Sequence, residues 1–131
     1  MDFILMVYGS LRKGGEFHHY LKGSDFIDTD CIKGYLMTKA GDYPVIHKSA
    51  FPEDAVFVEI YRINEYHLTE IDILEGYLGP GMKNEYERVY VQSSKGYKGY
   101  IYCSSDNISA DLKNRIWSGD WFNPDKKMQE G

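Results

Sequence analysis

The sequence predicts a mixed α/β domain of the α+β kind, built on a small curled sheet or β-barrel with covering helices. Segments typical of strands outnumber segments with helical periodicity, and the helical segments are scattered between them. The chain also has 12 tyrosines among its 131 residues, and tyrosine favours strands and half-buried surfaces. We find no internal repeat, low-complexity segment or linker, so residues 1–131 are expected to form one domain, with a loose tail after about residue 124.

The predicted strands are apolar runs bounded by turn residues. Residues from Phe3 to Tyr8 are continuously apolar and end at Gly9-Ser10, which is typical of a central strand buried on both faces. Ser93 to Gly96 separates the last two predicted strands and is a good hairpin signal. The remaining extended segments are rich in Val, Ile, Phe and Tyr. They are predicted at residues 31–38, 45–46, 55–62, 86–92 and 97–103.

Three segments are predicted to be helical. The first is a short helix from Glu16 to Lys22, which Gly23 would stop. The second covers residues 64–75, with Asn64 as its N-cap and Gly76 as its C-terminal stop. The third runs from Ser109 to Trp117.

Composition excludes several classes of function. The formal net charge of −5 argues against binding to nucleic acid or to anionic membranes. The chain shows no signal peptide and no apolar run of roughly 20 residues, so a cytoplasmic location is expected. Cys31 and Cys103 match no metal spacing and are expected to be free buried thiols, although a disulfide is possible. The histidine pattern also predicts no metal site, and the oligomeric state stays open.

Glu75 is the residue that fits its surroundings least well. Helical periodicity places it on the apolar face of the second helix, with Leu68 and Ile71. Burial of a carboxylate is costly and raises its pKa, so that the group can act as a general acid or base near neutral pH. Two alternatives remain open: a buried ion pair with Arg88 or Arg62, and a last helical turn that frays into solvent.

The loop after the first strand is a second candidate site. Tyr8-Gly9-Ser10-Leu11 leaves a buried strand and turns sharply at a glycine, which lets a ligand approach the backbone closely. The following N–H groups and the Ser10 hydroxyl can bind an anion or a polarised carbonyl. The alternative is a tight turn that only ends the strand. The spacing matches neither a phosphate-binding glycine loop nor a nucleophile elbow.

Several short motifs together resemble those of the gamma-glutamylcyclotransferase-like family, which includes AIG2-like proteins and gamma-glutamylamine cyclotransferases. The loop resembles the family's N-terminal Tyr-Gly-Ser/Thr-Leu motif, and residues 71–77 resemble the Leu-Asp-x-x-Glu-Gly segment that carries the catalytic glutamate. Ile71 stands where leucine is usual, and Val58-Glu59 where Gly-Glu is frequent, which leaves the exact subfamily open. The other matching segments occur in the family's order. They are Gly34-Tyr35-Leu36, Gly41-Asp42-Tyr43-Pro44 and Tyr86-Glu87-Arg88-Val89.

The resemblance implies a mixed α/β fold with a small barrel, and an enzyme that needs no metal or other cofactor. By this matching, Glu75 is the acid/base, and Tyr86 lines the pocket. A gamma-glutamyl small molecule would bind against Tyr8, Gly9, Ser10 and Leu11. Its α-amine would attack its own γ-carbonyl, releasing an amine and 5-oxoproline. A binding protein that has lost catalysis on the same fold is the alternative, and the leaving amine is not identified.

Overall fold

The computed structural model describes residues 2–104 and 112–125. This part of the chain forms eight β-strands, one α-helix and two short 3-10 helices. The α-helix α1 is Glu65–Glu75, and the 3-10 helices are His18–Leu21 and Leu112–Asn114. In chain order, the strands are β1 Asp2–Val7, β2 Asp25–Lys33, β3 Tyr35–Ala40, β4 Tyr43–Lys48, β5 Ala55–Asn64, β6 Tyr86–Gln92, β7 Lys98–Ser104 and β8 Arg115–Ile116.

The larger sheet has five strands in the order β2-β5-β1-β7-β6. Strand β1 is central: it pairs antiparallel with β5, where Leu5 lies opposite Tyr61, and parallel with β7, where Leu5 lies opposite Tyr100. Leu5, Met6 and Val7 are all buried although successive side chains point to opposite faces. The prediction of a central strand covered on both faces is therefore confirmed.

The second sheet has three strands in the order β4-β3-β8 and shares a core with the first. The apolar side chains between the two sheets are fully or almost fully buried. They include Met6, Met37, Ile46, Val58, Ile60 and Ile101. Among the described residues the sheets do not close, so the fold is the predicted mixed curled sheet with helical cover, and the β-barrel alternative is wrong.

Helix α1 covers the other face of the large sheet and has the predicted ends. The Asn64 side chain accepts a hydrogen bond from the His67 N–H at 2.9 Å, and the His67 ring accepts one from the Asn64 N–H at 3.1 Å. Gly76 ends the helix in the left-handed conformation, with φ of 68°. Leu68 and Ile71 face inward, against Leu5 and Val7 among others. These local interactions explain why the helix was predictable.

The segment at residues 31–38 was predicted wrongly as one strand. It is the end of β2 and the start of β3, separated by Gly34 at φ of 84°. Strand β2 pairs with β5, whereas β3 pairs with β4 and β8 in the other sheet. The left-handed glycine redirects the chain between the sheets, which residue-type patterns do not reveal.

The two other predicted helices were also inaccurate. The segment from Glu16 to Lys22 contains only the 3-10 turn His18–Leu21. Of the helix predicted from Ser109 to Trp117, the described part is a 3-10 turn followed by β8, in which Ile116 pairs with Met37 of β3. The beginning of that helix, at 109–111, and the predicted loose tail at 126–131 lie outside the described residues.

Neither Cys31 nor Cys103 is in a disulfide: Cys103 is buried, and Cys31 is only half-buried. In the described ranges, no helix is long and apolar enough to cross a membrane.

A buried ion network joins distant parts of the chain at Arg12. Its Nε donates to Glu59 Oε2 of β5 at 3.0 Å, and its Nη1 donates to Asp120 Oδ1 at 2.8 Å. The guanidinium carbon lies 4.8 Å from the ring centre of Phe57 and 4.4 Å from that of Phe122. All three charged residues are buried. The network therefore fixes the loop after β1 against β5 and the C-terminal segment.

We expect Arg12→Met to lower the free energy of unfolding by about 3 to 5 kcal/mol, because it leaves Glu59 and Asp120 as buried carboxylates without their cation. The matched control is Arg62→Met, whose ion pair with Asp25 is exposed and 3.9 Å long, and which should cost less than about 1 kcal/mol. Urea unfolding of both variants measures the difference. Equal losses would show that the Arg12 network is not a principal support of the fold.

Candidate active site

The residues that the sequence singles out meet around one cavity of about 300 Å³. It opens between the end of β1, the last turn of α1, the start of β6 and the turn before β4. All six predicted site residues line it: Tyr8, Gly9, Ser10, Leu11, Glu75 and Tyr86.

Glu75 is the last residue of α1 and is half-buried in the cavity wall. No described residue forms a hydrogen bond or ion pair with its carboxylate. The two cations considered as partners are engaged elsewhere: Arg88 pairs with Asp72, and Arg62 lies near Asp25. The structure therefore contradicts the ion-pair alternative and leaves a carboxylate that faces the cavity.

The surroundings of Glu75 disfavour its negative charge. Burial first, and then the neighbouring carboxylate of Glu85, raise the pKa of Glu75 to about 7. Its position at the C-terminal end of a helix acts in the same direction, since that end carries partial negative charge. Near neutral pH, Glu75 therefore exists in both protonation states, which suits a group that must accept and return a proton.

Two tyrosines frame the carboxylate. The Tyr8 hydroxyl donates to the backbone carbonyl of Tyr102 at 2.7 Å. Burial and the charge of Glu75 hold the pKa of Tyr8 well above its ordinary value. The same two causes raise the pKa of Tyr86 to about 12. Both side chains are therefore neutral phenols near pH 7 that can pack against a ligand. Tyr86 can also donate its hydroxyl hydrogen to a ligand, whereas the Tyr8 hydroxyl already donates to Tyr102 and can only accept.

The loop after β1 presents backbone donors to the cavity. Its turn is closed by hydrogen bonds from the Arg12 N–H to the Gly9 carbonyl at 3.0 Å and from the Phe17 N–H to the Ser10 carbonyl at 2.9 Å. No described residue accepts a hydrogen bond from the N–H of Ser10 or Leu11. Both residues line the cavity, so these two groups are available to a carbonyl oxygen or a carboxylate there.

Gly9 is needed where two motifs meet. A Cβ at this position would lie 2.6 Å from Cγ of Pro44, so only glycine permits this approach. Pro44 also lines the cavity and is the second residue of β4, directly after the turn at Gly41-Asp42. Close packing, and not space for a ligand alone, therefore explains the glycine.

Sequence reasoning missed several residues of the cavity wall. Tyr102 and Trp121 reach it from β7 and from the segment after β8. Glu85 directly precedes the predicted Tyr86, but no local pattern distinguished it from a solvated surface glutamate. Trp121 could not be assigned from sequence because the Arg12–Asp120 ion pair, between residues 108 positions apart, brings its segment to the cavity. Among the described residues, no group of three or more His, Cys, Asp or Glu could hold a metal ion.

Comparison with known proteins agrees with the fold and the motifs. A family model described as "Gamma-glutamyl cyclotransferase, AIG2-like" matches residues 5–123. A protein of Niallia circulans named gamma-L-glutamyl-butirosin B gamma-glutamyl cyclotransferase is 34% identical over 118 residues, covering 86% of this chain and 74% of the relative. The gamma-glutamylcyclotransferase family protein YtfP of Escherichia coli K12 is 31% identical over 123 residues, covering 93% and 98%.

Solved structures show the same architecture. An uncharacterized protein from Pyrococcus horikoshii superimposes with a TM-score of 0.72 and 29% identity, covering 91% of this chain and 89% of that one. A mouse AIG2-like protein superimposes with a TM-score of 0.67 at 19% identity, covering 91% and 87%, which shows the shared fold. The family match over nearly the whole chain, and two relatives above 30% identity, show that this chain belongs to the gamma-glutamyl cyclotransferase, AIG2-like family.

Proposed function

We propose that this protein converts a gamma-glutamyl amine or amide to 5-oxoproline and a free amine, with Glu75 as general acid and base. The observation that carries this proposal is a half-buried carboxylate that no described residue pairs with, in the wall of a cavity that is also lined by Ser10 and Leu11, whose backbone N–H groups have no described acceptor. Family membership and the activity in the name of the Niallia circulans relative support the same class of reaction.

The reaction begins with the substrate's α-ammonium group, which must lose a proton before it can attack. Glu75 in its carboxylate form accepts this proton. The neutral amine then attacks the γ-carbonyl carbon of the same molecule. Because nucleophile and carbonyl belong to one molecule, attack requires no covalent enzyme intermediate, and the cavity has only to hold the chain in a bent conformation.

Negative charge develops on the carbonyl oxygen as the five-membered ring closes. The N–H groups of Ser10 and Leu11 are the donors proposed to stabilise it, or alternatively to bind the α-carboxylate. Tyr8 and Tyr86 pack beside the glutamyl chain. Leu11 contributes its backbone, because its side chain belongs to the core beneath α1.

The intermediate collapses with cleavage of the bond between the γ-carbon and the leaving nitrogen. The α-nitrogen loses two protons in all and becomes the lactam N–H, while the leaving amine gains two and departs as an ammonium ion. Glu75 transfers one of these protons directly, and solvent exchanges the other. No water is consumed, so free glutamate is not a product.

We expect Glu75→Gln to abolish turnover and also to stabilise the protein above neutral pH. In the folded state the pKa of Glu75 is about 7, above the ordinary 4.5, so the folded protein binds the proton more tightly than the unfolded chain. Folding is therefore penalised increasingly as pH rises from about 4.5 to 7, and the neutral amide removes a penalty of up to about 3 kcal/mol. Product assays and urea unfolding at about pH 8 and pH 4 measure both effects.

Glu70→Gln, on the same helix but outside the cavity, is the matched control and should change neither property appreciably. Turnover of Glu75→Gln within a few-fold of the parent would rule out the proposed role.

The dependence of kcat/KM on pH should show an acidic limb with its midpoint near 7, because protonated Glu75 cannot act as the base. Glu85→Gln should move this limb to lower pH, since it removes a charge that raises the pKa of Glu75. Glu70→Gln should leave it in place. A limb near 4.5 in the parent would mean that Glu75 is well solvated or is not the base.

A gamma-glutamyl amide acetylated on its α-nitrogen should release no amine, because acetylation removes the nucleophilic lone pair but leaves the γ-amide intact. The free compound should yield 5-oxoproline and amine in equal amounts. Mass spectrometry of both incubations identifies the products. Amine released from the acetylated compound, or glutamate from the free one, would indicate a hydrolase.

A further inference from the structure

Asp72 lies one turn before Glu75 on α1, and residues three apart on a helix are neighbours. The two oxygens of its carboxylate have different partners. Oδ1 accepts a hydrogen bond from the Tyr102 hydroxyl, and Oδ2 accepts one from Nη1 of Arg88, each at 2.5 Å. A cation therefore reaches the same turn of helix that presents Glu75, but it is bound to Asp72.

Aromatic rings also hold Arg88 of β6 beside this turn. Its guanidinium carbon lies 4.8 Å from the ring centre of Tyr77, which follows the helix stop at Gly76, and 4.6 Å from that of Tyr100. The Nε atom of Arg88 is buried and has no hydrogen-bond partner in the described ranges. The charge of Arg88 is therefore fixed near the end of α1, with one donor unused, and its pairing with Asp72 compensates it there.

Tyr102 connects this ion pair to the cavity. It is buried and lines the cavity, and its backbone carbonyl accepts the hydroxyl hydrogen of Tyr8 at 2.7 Å. Burial, and then the hydrogen bond to Asp72, raise the pKa of Tyr102 well above its ordinary value, and the charge of Glu75 acts in the same direction. The Tyr102 hydroxyl therefore fixes the Asp72 carboxylate at a point within electrostatic reach of Glu75.

We propose that Asp72 is a positioning residue, which binds Arg88 and so keeps this cation from pairing with the Glu75 carboxylate. Asp72 is not among the residues that line the cavity, and it acts through Glu75. A carboxylate that is paired with a guanidinium is a weaker base, so the ion pair preserves the ability of Glu75 to accept a proton. This inference rests on the proposed function and adds to it the reason why the catalytic carboxylate has no protein partner.

The two charges of the pair act on Glu75 in opposite directions. The cation of Arg88 favours the ionised form of Glu75, and the anion of Asp72 favours the protonated form. While the two are paired at 2.5 Å, their effects on Glu75 largely cancel. Burial and the neighbouring Glu85 then determine where Glu75 titrates. The other titratable groups that line the cavity are the same in every variant below. They are Tyr8, Glu16, Asp42, Tyr43, Tyr86 and Tyr102.

Asp72→Asn and Arg88→Met should move the acidic limb of kcat/KM in opposite directions. Asp72→Asn keeps an oxygen acceptor for Tyr102 but leaves Arg88 without its counter-charge, and should move the midpoint to lower pH by roughly one unit. Arg88→Met leaves Asp72 uncompensated and should move the midpoint to higher pH by a similar amount. The double variant removes both charges, so its midpoint should return to that of the parent, near 7. The dependence of kcat/KM on pH in all four proteins measures these shifts.

Asp25→Asn is the matched control, because it also removes an aspartate that faces an arginine, Arg62, but in an exposed pair outside the cavity. It should leave the midpoint in place. A pair that only supported the fold would reduce the rates of both single variants without shifting either midpoint, and the double variant would not recover. That result, or shifts of both single variants in one direction, would overturn the inference. Arg88→Met and the double variant still decide the question if Asp72→Asn folds poorly.

Carbon NMR of the Glu75 carboxyl group separates this inference from the proposed function, because it needs no turnover. In protein made with carboxyl-labelled glutamate, the Glu75 signal is assigned by its absence from Glu75→Gln, and its titration midpoint is measured in each variant. The same opposite shifts and their cancellation should appear. If they do while the parent forms no 5-oxoproline from gamma-glutamyl amides, the proposed function fails and the role of Asp72 stands. If the parent is active but the midpoints do not move, the role of Asp72 is wrong and the proposed function stands.

Discussion

The two buried ion pairs of Arg12 are the interactions on which the shape of the cavity most depends. They join the loop after β1 to Glu59 in β5 and to Asp120 near the C-terminal end of the described chain. Both carboxylate oxygens of Glu59 have partners, since Glu59 also accepts hydrogen bonds from the Lys13 N–H at 2.8 Å and the Tyr61 hydroxyl at 2.7 Å. Removing these charges from water costs free energy, so the network contributes mainly by fixing the relative positions of the segments that it joins. It holds the loop against β5 and brings the segment of Trp121 to the cavity.

Glu75 illustrates the opposition between stability and activity within one helix. Leu68 and Ile71 secure α1 to the large sheet, and the same periodicity brings Glu75 into the cavity wall. Burial, a neighbouring carboxylate and the helix end all disfavour the charge there. A solvated or paired glutamate would be more stable but would titrate too low to donate a proton near neutral pH. The proposed chemistry therefore depends on an unfavourable placement that packing elsewhere sustains.

Two glycines allow separate motifs to form one site. At Gly9 the missing side chain lets Pro44, at the start of β4, approach the loop, and at Gly76 it leaves room for Glu85 beside the helix end. The two positions need glycine for different reasons. Gly76 adopts a positive φ of 68°, whereas Gly9 is required by the approach of Pro44. The motifs that resemble those of the family therefore contain residues that let elements pack together, such as Gly9 and Gly76, as well as residues proposed to act on the substrate.

By itself, the sequence determined the features that local interactions decide. Helix α1 was predictable from Asn64 to Gly76 because its cap, apolar face and left-handed stop lie within one segment, and its periodicity marked Glu75. The central strand and the β6–β7 hairpin were predictable from continuous burial and turn residues. The tertiary structure alone decided the division at Gly34, the pairing of β8 with β3, and the meeting of Arg12 with Asp120. Those features depend on partners far apart in the chain. The pKa of Glu75 depends in the same way on how deeply folding buries it and on Glu85, a neighbour from another segment.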